Sequence, residues 1–343
     1  MKIKVLILED DFDYLKKIPA LLSKKYPEEL QVFSVDDCNE AIASLRKEEI
    51  NVFLAGDQFD ISSRSIPKKC AFAFLTDSAE KQIVNGKKAI CKYQKVSAIF
   101  DEISQLYQDL VNQPPAAPKT VIFASAGGGT GSSTAAASCA VHFASKGKNV
   151  LYLNFEKIHS TEYFFSAESD LKIEDIVAGL KNNTEETIAK LVGSEAEDQS
   201  KVCIYSSLDA NDDTITISDY DLVVRTIASL EIYDYIVIDA ECSISKEAML
   251  FYNHSDSFIL VSDGSSISNA KLLTVMKYIH LSKYGQTLSN KTYVLYNRFD
   301  NAASSIIERD DIKNVGGIPQ FKMDTFEQLL DRVSGMAVFD TFA

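Results

Sequence analysis

The chain has 343 residues, of which 46% are hydrophobic and 24% are charged, and its formal net charge is −14. This composition is typical of globular proteins with a buried core, and the length suggests about two domains. Apolar runs are short and interrupted, so the sequence predicts no direct insertion into a membrane. Residues 1–118 hold 16 Lys and Arg against 18 Asp and Glu, whereas the remainder holds 19 against 31. The acidic second part argues against binding to nucleic acid or to anionic lipid.

The amino-terminal sequence MKIKVLILEDD predicts a strand that ends in acidic residues, and we expect no signal peptide before it. Six scattered cysteines form neither a CxxC pair nor a Cys/His cluster. This pattern predicts reduced thiols and a cytoplasmic protein.

Strands and helices alternate over residues 1–112, which predicts a (βα)5-like domain with a parallel sheet. The predicted strands are residues 4–8, 30–35, 52–55, 71–75 and 89–92. The predicted helices are residues 12–26, 39–47 and 96–111.

This first domain resembles the CheY-like receiver domains of response regulators. Glu9, Asp10 and Asp11 follow the first strand, where receivers place an acidic metal pocket, and Thr76 and Lys92 match the hydroxyl and the lysine of that family. The third strand departs from the pattern, because it ends in Ala55-Gly56 and the nearest aspartate is Asp57. A shift of one residue along a strand turns a side chain to the other face. The resemblance therefore implies an atypical, protein-docking receiver, although the acidic cluster also suits a solvated helix start.

Residues 113–119 contain three prolines and no apolar periodicity, which predicts an extended linker. We therefore expect an atypical receiver-like domain over residues 1–112 and a second domain over residues 120–343.

The second domain begins with an apolar strand at residues 120–124, a glycine-rich loop and a helix of small apolar residues. Successive glycine amides and a helix N-terminus form an anion site without help from side chains. This strand–loop–helix order is the context that confirms a phosphate-binding loop, whereas a flexible Gly/Ser turn is the alternative. The predicted phosphate-binding residues are Gly127, Gly128, Gly129, Thr130, Gly131, Ser132, Ser133 and Thr134.

Further strands are predicted at residues 149–156, 201–205, 233–239, 257–262 and 292–296. The strand that ends at Asp239 has the Walker B arrangement, in which the aspartate holds Mg²⁺ through water and Ser133 supplies a hydroxyl ligand. The acidic segment 181–200 predicts a surface helix followed by a loop.

From residue 119 onward the sequence resembles the deviant-Walker P-loop ATPases of the MinD/ParA superfamily. The two lysines of that family's loop match Gly127 and Ser132 here. Its water-positioning acid matches Glu156, a catalytic candidate with a longer side chain, and its adenine-binding asparagine and proline loop match Asn297-Arg298 and Pro319. For Asn297, a capping or turn role is the alternative. The resemblance implies that the chain binds ATP with Mg²⁺ and that its hydrolysis is weak or absent.

The combination of the two domains resembles the TadZ/CpaE family, which marks the site of assembly of the Tad (Flp) type IV pilus. The resemblance implies two doubly wound parallel-sheet domains, a homodimer, pilus or secretion assembly proteins as partners, and concentration at a cell pole.

Two other functions remain open from the sequence alone. The first is an active ATPase of the MinD or plasmid-partition type, which the missing lysines and the acidic charge disfavour. The second is a phosphorylation-controlled response regulator, which would require a working phosphoacceptor.

Overall fold

The computed structural model describes residues 2–61, 66–78, 80–112, 116–158, 160–182, 184–191, 193–206, 215–322 and 325–343. The chain divides into two units: Met1–Ala116 with Leu230–Ile232, and Ala117–Ser229 with Tyr233–Ala343. Residues 113–115 of the predicted linker lie outside the described residues.

The first unit contains a six-stranded sheet in the order β2-β1-β3-β4-β6-β5, in which all pairs are parallel except β5 with β6. Its strands are β1 (Ile3–Leu8), β2 (Leu30–Val35), β3 (Val52–Gly56), β4 (Ala71–Thr76), β5 (Ile83–Val84) and β6 (Lys87–Cys91). Its helices are α1 (Phe12–Lys25), α2 (Cys38–Lys47) and α3 (Val96–Asn112).

Two separate cores cover the two faces of this sheet. Val5 and Ile7 of β1 pack in one core with the apolar faces of α1 and α3, whereas Leu6 and Leu8 pack in the other with residues of α2. Because successive side chains of a strand point to opposite faces, the apolar run of β1 is buried on both sides. The sheet is therefore doubly wound, as predicted.

The expected alternation of strands and helices is incomplete in this unit. Among the described residues, no helix lies between β3 and β4 or between β4 and β6. Instead, β5 and β6 form a hairpin whose turn residues Asn85 and Gly86 have φ of 48° and 73°. An Asn-Gly pair is the usual sequence for such a two-residue turn, because both positions need a positive φ.

The second unit contains an eight-stranded sheet in the order β14-β13-β12-β7-β11-β8-β10-β9, parallel except for the edge pair β9 and β10. Its strands are β7 (Lys119–Ala124), β8 (Val150–Asn154), β9 (Ala196–Glu197), β10 (Val202–Ile204), β11 (Tyr235–Asp239), β12 (Ser257–Ser262), β13 (Thr292–Phe299) and β14 (Lys313–Pro319). Its helices are α4 (Ser132–Ser145), α5 (Thr161–Phe164), α6 (Ile173–Asn182), α7 (Thr184–Leu191), α8 (Ile217–Ser229), α9 (Lys246–His254), α10 (Ser266–Leu281), α11 (Gly285–Lys291) and α12 (Phe326–Ser334), followed by a 3₁₀ helix at Ala337–Phe342.

The central strands of the second sheet place polar residues at one edge. Strands β8, β11 and β12 are buried along their whole length, which explains their continuous apolar sequence. Because β7, β8 and β11 are parallel, the loop after β7 and the polar ends of β8 and β11 meet at the carboxyl edge of the sheet. In open α/β sheets, ligands bind at this edge.

Within the described residues, we find no helix whose length and hydropathy would let it cross a membrane.

Candidate functional site

A cavity of about 650 Å³ lies at the carboxyl edge of the second sheet. This volume is within the range of small-molecule sites. Its lining combines the glycine loop with acidic and aromatic side chains: Ser125, Gly127, Gly128, Gly129, Gly131, Ser132, Ser133, Thr134, Glu156, Ser160, Tyr163, Phe164, Ala240, Glu241, Cys242 and Phe326. This set includes seven of the eight predicted loop residues, and it contains neither lysine nor arginine among the described residues.

Helix α4 begins directly at the cavity, and its N-terminus remains available. Gly131 occupies the N-cap position with φ of 81°, and no side chain of the described residues caps this end of the helix. The first turn of a helix has amide groups without an intrahelical partner, and these amides carry partial positive charge. The amides of Ser132, Ser133 and Thr134 can therefore bind an anionic group in the cavity.

The loop is held in place by hydrogen bonds on its inner side. Thr130 is 2% exposed, and its hydroxyl donates to Oγ of Ser125 at 2.7 Å. Oγ of Ser125 also accepts from the amide of Gly127 at 3.1 Å. Thr130 therefore stabilises the loop on the side that faces the protein interior, and it does not line the cavity.

The predicted Asn297 and Arg298 lie beside the same loop. Nδ2 of Asn297 donates to the carbonyl oxygens of Thr130 and Gly131, both at 3.0 Å, and Nη1 of Arg298 donates to the carbonyl oxygen of Gly129 at 2.8 Å. Neither residue lines the cavity in the structure. Their contacts indicate that they fix the backbone of the loop.

The predicted Pro319 lies at the end of β14, opposite Phe299. Both residues line a separate cavity of about 460 Å³, together with Asp300, Gly317 and Gln320. The structure thus brings the loop, Glu156 and Asp239 together but leaves Pro319 outside this group.

Asp239 and Glu156 form an acidic pair beside the first turn of α4. Asp239 is 0% exposed, and its Oδ2 accepts from the hydroxyl of Tyr152 at 3.3 Å. Oε2 of Glu156 accepts from the hydroxyl of Ser133 at 3.1 Å. Burial, together with the charge of Glu156, raises the pKa of Asp239 well above its ordinary value, and burial also raises the pKa of Glu156.

One oxygen of this pair lacks a partner. Among the described residues, none forms a hydrogen bond with Oδ1 of Asp239. A buried carboxylate with an unpaired oxygen is costly, and such groups are typical of sites that hold an ion or a ligand. A hydroxyl and two carboxylates are hard oxygen donors of the kind that Mg²⁺ prefers, so these residues fit Mg²⁺.

The described residues contain no cluster of three or more His, Cys, Asp or Glu that could hold a metal by itself. At phosphate sites, Mg²⁺ keeps several waters and uses one or two carboxylates together with the phosphates.

The acidic pocket of the first unit is closed by internal contacts. Nε2 of Gln58 lies 2.7 Å from Oε1 of Glu9 and 2.7 Å from Oδ1 of Asp10. Nζ of Lys92 contacts Glu9 at 3.1 Å and Asp77 at 2.8 Å. Burial opposes the charge on Lys92, but the contacts with Asp77 and Glu9 outweigh it and raise the pKa of Lys92.

No carboxylate occupies the position of a phosphoacceptor at the end of β3. Gly56 ends this strand, and a Cβ built on it would lie 2.4 Å from Oε1 of Gln58. Asp57 instead forms an ion pair with Lys81 at 2.8 Å. The Gln58 side chain therefore occupies the space that an acceptor side chain would need.

The sequence patterns indicate no functional role for Gln58, Tyr152 or the three aromatic residues of the cavity. Gln58 lies three residues beyond the predicted end of a strand at residue 55, but its contacts with Glu9 and Asp10 join residues that are 49 and 48 positions apart. Single-sequence patterns carry no signal for such contacts.

Comparisons with known proteins agree with this two-part architecture. Residues 1–108 match the family model of the TadZ-like receiver domain. A comparison with curated proteins finds no match. Among solved structures, a ParA family ATPase from Chlorobium tepidum is 18% identical, with 66% of this chain and 96% of that chain covered and a TM-score of 0.52.

Two MinD structures are also similar, at lower TM-scores. The cell division ATPase MinD of Pyrococcus furiosus is 16% identical, with 66% of this chain and 99% of that chain covered and a TM-score of 0.49. The MinC:MinD complex of Aquifex aeolicus is 19% identical, with 65% of this chain and 93% of that chain covered and a TM-score of 0.47. The fold assignment depends on the Chlorobium structure and on the strand order described above. Residues 1–108 are therefore similar to the TadZ-like receiver domain, and the second unit has the fold of a ParA family ATPase.

Proposed function

We propose that this protein is a nucleotide-binding localisation and assembly factor for a Tad-type pilus or secretion apparatus, with weak or no ATP hydrolysis. The observation that carries the proposal is the cavity at the uncapped N-terminus of α4, which is lined by Glu156. Glu156 neighbours the buried Asp239, whose Oδ1 has no hydrogen-bond partner among the described residues. ATP would place its phosphates on the amides of residues 128–133. Ser133 and Asp239 would hold Mg²⁺, which neutralises phosphate charge when bound.

The residues that line this cavity support the proposal that ATP hydrolysis is slow. The described lining has no lysine or arginine, and Arg298 donates to the carbonyl of Gly129 on the loop. Loss of one donor that stabilises transition-state charge commonly costs on the order of 10²–10³ in rate. Glu156 remains the catalytic candidate, but its carboxylate is engaged with the hydroxyl of Ser133.

The first unit would then act as a docking module that needs no phosphorylation, because Gln58 and Lys92 satisfy its acidic residues. Bound nucleotide would stabilise a homodimer, and the dimer would collect pilus assembly proteins at a cell pole. The TadZ-like match over residues 1–108 supports this role.

Localisation in cells tests the role of the protein. A fluorescent fusion should form a focus, which Asp57→Asn leaves in place and deletion of residues 1–112 disperses. Asp13→Asn, at an exposed residue of the same unit, is the matched control. Loss of the focus in Asp57→Asn alone, with the fold intact, would favour a phosphorylation-controlled regulator instead.

A further inference from the structure

The cavity continues from the glycine loop to three aromatic side chains. Tyr163 and Phe164 belong to α5, and Phe326 is the first residue of α12. The ring of Phe326 lies 6.2 Å from that of Tyr163 and 6.0 Å from that of Phe164, measured between centroids. These three rings form what we term the aromatic rim.

The aromatic rim is open to solvent although it borders a cavity. Tyr163 is 65% exposed and Phe326 is 53% exposed. Single exposed apolar residues are normal, but here two exposed rings, Tyr163 and Phe326, contact each other at the edge of one cavity. Ring pairs prefer tilted or edge-on contacts at such distances, so the existing pairs leave ring surface free for another flat group.

Asn297, which the family resemblance matches to an adenine-binding residue, uses its side-chain amide for contacts with the loop. Asn297 is 4% exposed, and its Nδ2 donates to two carbonyl oxygens of the loop. Pro319 lines a different cavity. A base attached to phosphates on the glycine loop would therefore find the aromatic rim in the same cavity, and neither Asn297 nor Pro319.

We infer that the aromatic rim of Tyr163, Phe164 and Phe326 is the nucleobase subsite and binds the base by stacking. This inference rests on the proposed nucleotide binding at the glycine loop. Stacking on an aromatic ring tolerates any base, because every base has a π face. ATP and GTP should therefore bind with affinities within about three-fold of each other, and inorganic tripolyphosphate, which has no base, should bind more weakly.

The chain contains no tryptophan, so one introduced tryptophan gives an unambiguous signal. In the full-length protein, Phe326→Trp places the reporter in the aromatic rim. Leu281→Trp places it at the end of α10, at a residue that is 74% exposed and does not line the cavity. Each variant is titrated with ATP, GTP and tripolyphosphate in the presence of Mg²⁺. Calorimetry of Phe326→Ala and Leu281→Ala provides a measurement that does not depend on fluorescence.

We expect ATP and GTP to quench Phe326→Trp, tripolyphosphate to leave it unchanged, and Leu281→Trp to respond to none of them. Phe326→Ala should weaken ATP binding about ten-fold, the effect of losing one stacking contact, while Leu281→Ala binds like the wild type. Wild-type affinity in Phe326→Ala, or an unquenched Phe326→Trp that binds ATP by calorimetry, would place the base elsewhere and overturn the inference. Absence of ATP binding to the wild-type protein would instead refute the proposed function itself.

Discussion

The side-chain amide of Asn297 donates to the carbonyl oxygen of Gly131 at 3.0 Å, and this contact joins the end of β13 to the start of α4. The same amide also donates a hydrogen bond to the carbonyl oxygen of the preceding residue, Thr130. Because carbonyl oxygens repel phosphate, turning both away from the cavity leaves amides to face it. Asn297 thus shapes the phosphate site without lining it.

Asn297→Ala should weaken ATP binding about ten-fold, since it removes two hydrogen bonds worth about 1 kcal/mol each and frees the loop. Calorimetry with ATP and Mg²⁺ measures the change. Asn301→Ala, at an exposed residue of the loop after β13, is the matched control. Equal affinity of Asn297→Ala and the wild type would mean that the loop holds its conformation without this contact.

Asp239→Asn should stabilise the metal-free protein at neutral pH, because it removes a buried carboxylate that has an unpaired oxygen. We expect the melting temperature in EDTA to rise by about 3 °C. The same variant should lose the contribution of Mg²⁺ to ATP affinity.

The pH dependence of this stability follows from the raised pKa of Asp239. The folded metal-free protein holds the proton more tightly than the unfolded chain does. Stability in EDTA should therefore fall as the pH rises above the ordinary Asp pKa of 3.8, and Asp239→Asn should flatten this slope. Asp263 is the control. Burial disfavours its carboxylate, but hydrogen bonds from Ser265 outweigh burial and lower the pKa of Asp263. Asp263→Asn should therefore not raise the melting temperature. A melting temperature of Asp239→Asn below that of the wild type in EDTA would contradict this account.

Lys92→Met should destabilise the first unit by about 3 kcal/mol, because it leaves the fully buried Glu9 without its cation. Hydrogen exchange of peptides from β1 and β6 reports on this unit within the full-length chain. Lys17→Met, which removes an exposed pair with Asp13, should leave exchange unchanged. Unaltered protection in Lys92→Met would show that Gln58 and the backbone satisfy Glu9 alone.

Treatment with a small phosphodonor and Mg²⁺ should add no phosphoryl group to the wild-type protein. Gly56 offers no carboxylate, and Gln58 donates hydrogen bonds to Glu9 and Asp10, the acidic residues that would hold the metal. Intact-mass measurement checks this, and the double variant Gly56→Asp, Gln58→Ala supplies an acceptor and opens the pocket as a control. A phosphoryl adduct on the wild type that Asp57→Asn abolishes would revive the response-regulator alternative.

The elements that sequence predicts well here are those whose environment is uniform. The sequence predicts that strand β11 ends at Asp239, and it does, because a strand buried on both faces is apolar up to its polar end. The predicted two doubly wound sheets and the receiver-like first domain are confirmed by the topology and by the TadZ-like match.

What the sequence could not predict depends on contacts between distant residues. Asn297 and Gly131 are 166 positions apart, and the aromatic rim combines α5 with α12. The absence of a helix from the described residues between β3 and β6 is a further case, since strand spacing alone suggests regular alternation. The roles of Asn297, Arg298 and Pro319 in nucleotide binding stay predictions.

Calorimetry of Gly131→Ala tests whether ATP binds on the loop before α4. A Cβ at Gly131 would lie 2.3 Å from Nδ2 of Asn297, at φ of 81°. Gly147→Ala is the matched control, because Gly147 has φ of 75° and open space around it. We predict that the wild type and Gly147→Ala bind Mg²⁺–ATP, whereas Gly131→Ala binds it at least ten-fold more weakly. Full affinity in Gly131→Ala, or no ATP binding by the wild type, would show that this loop is not an ATP site.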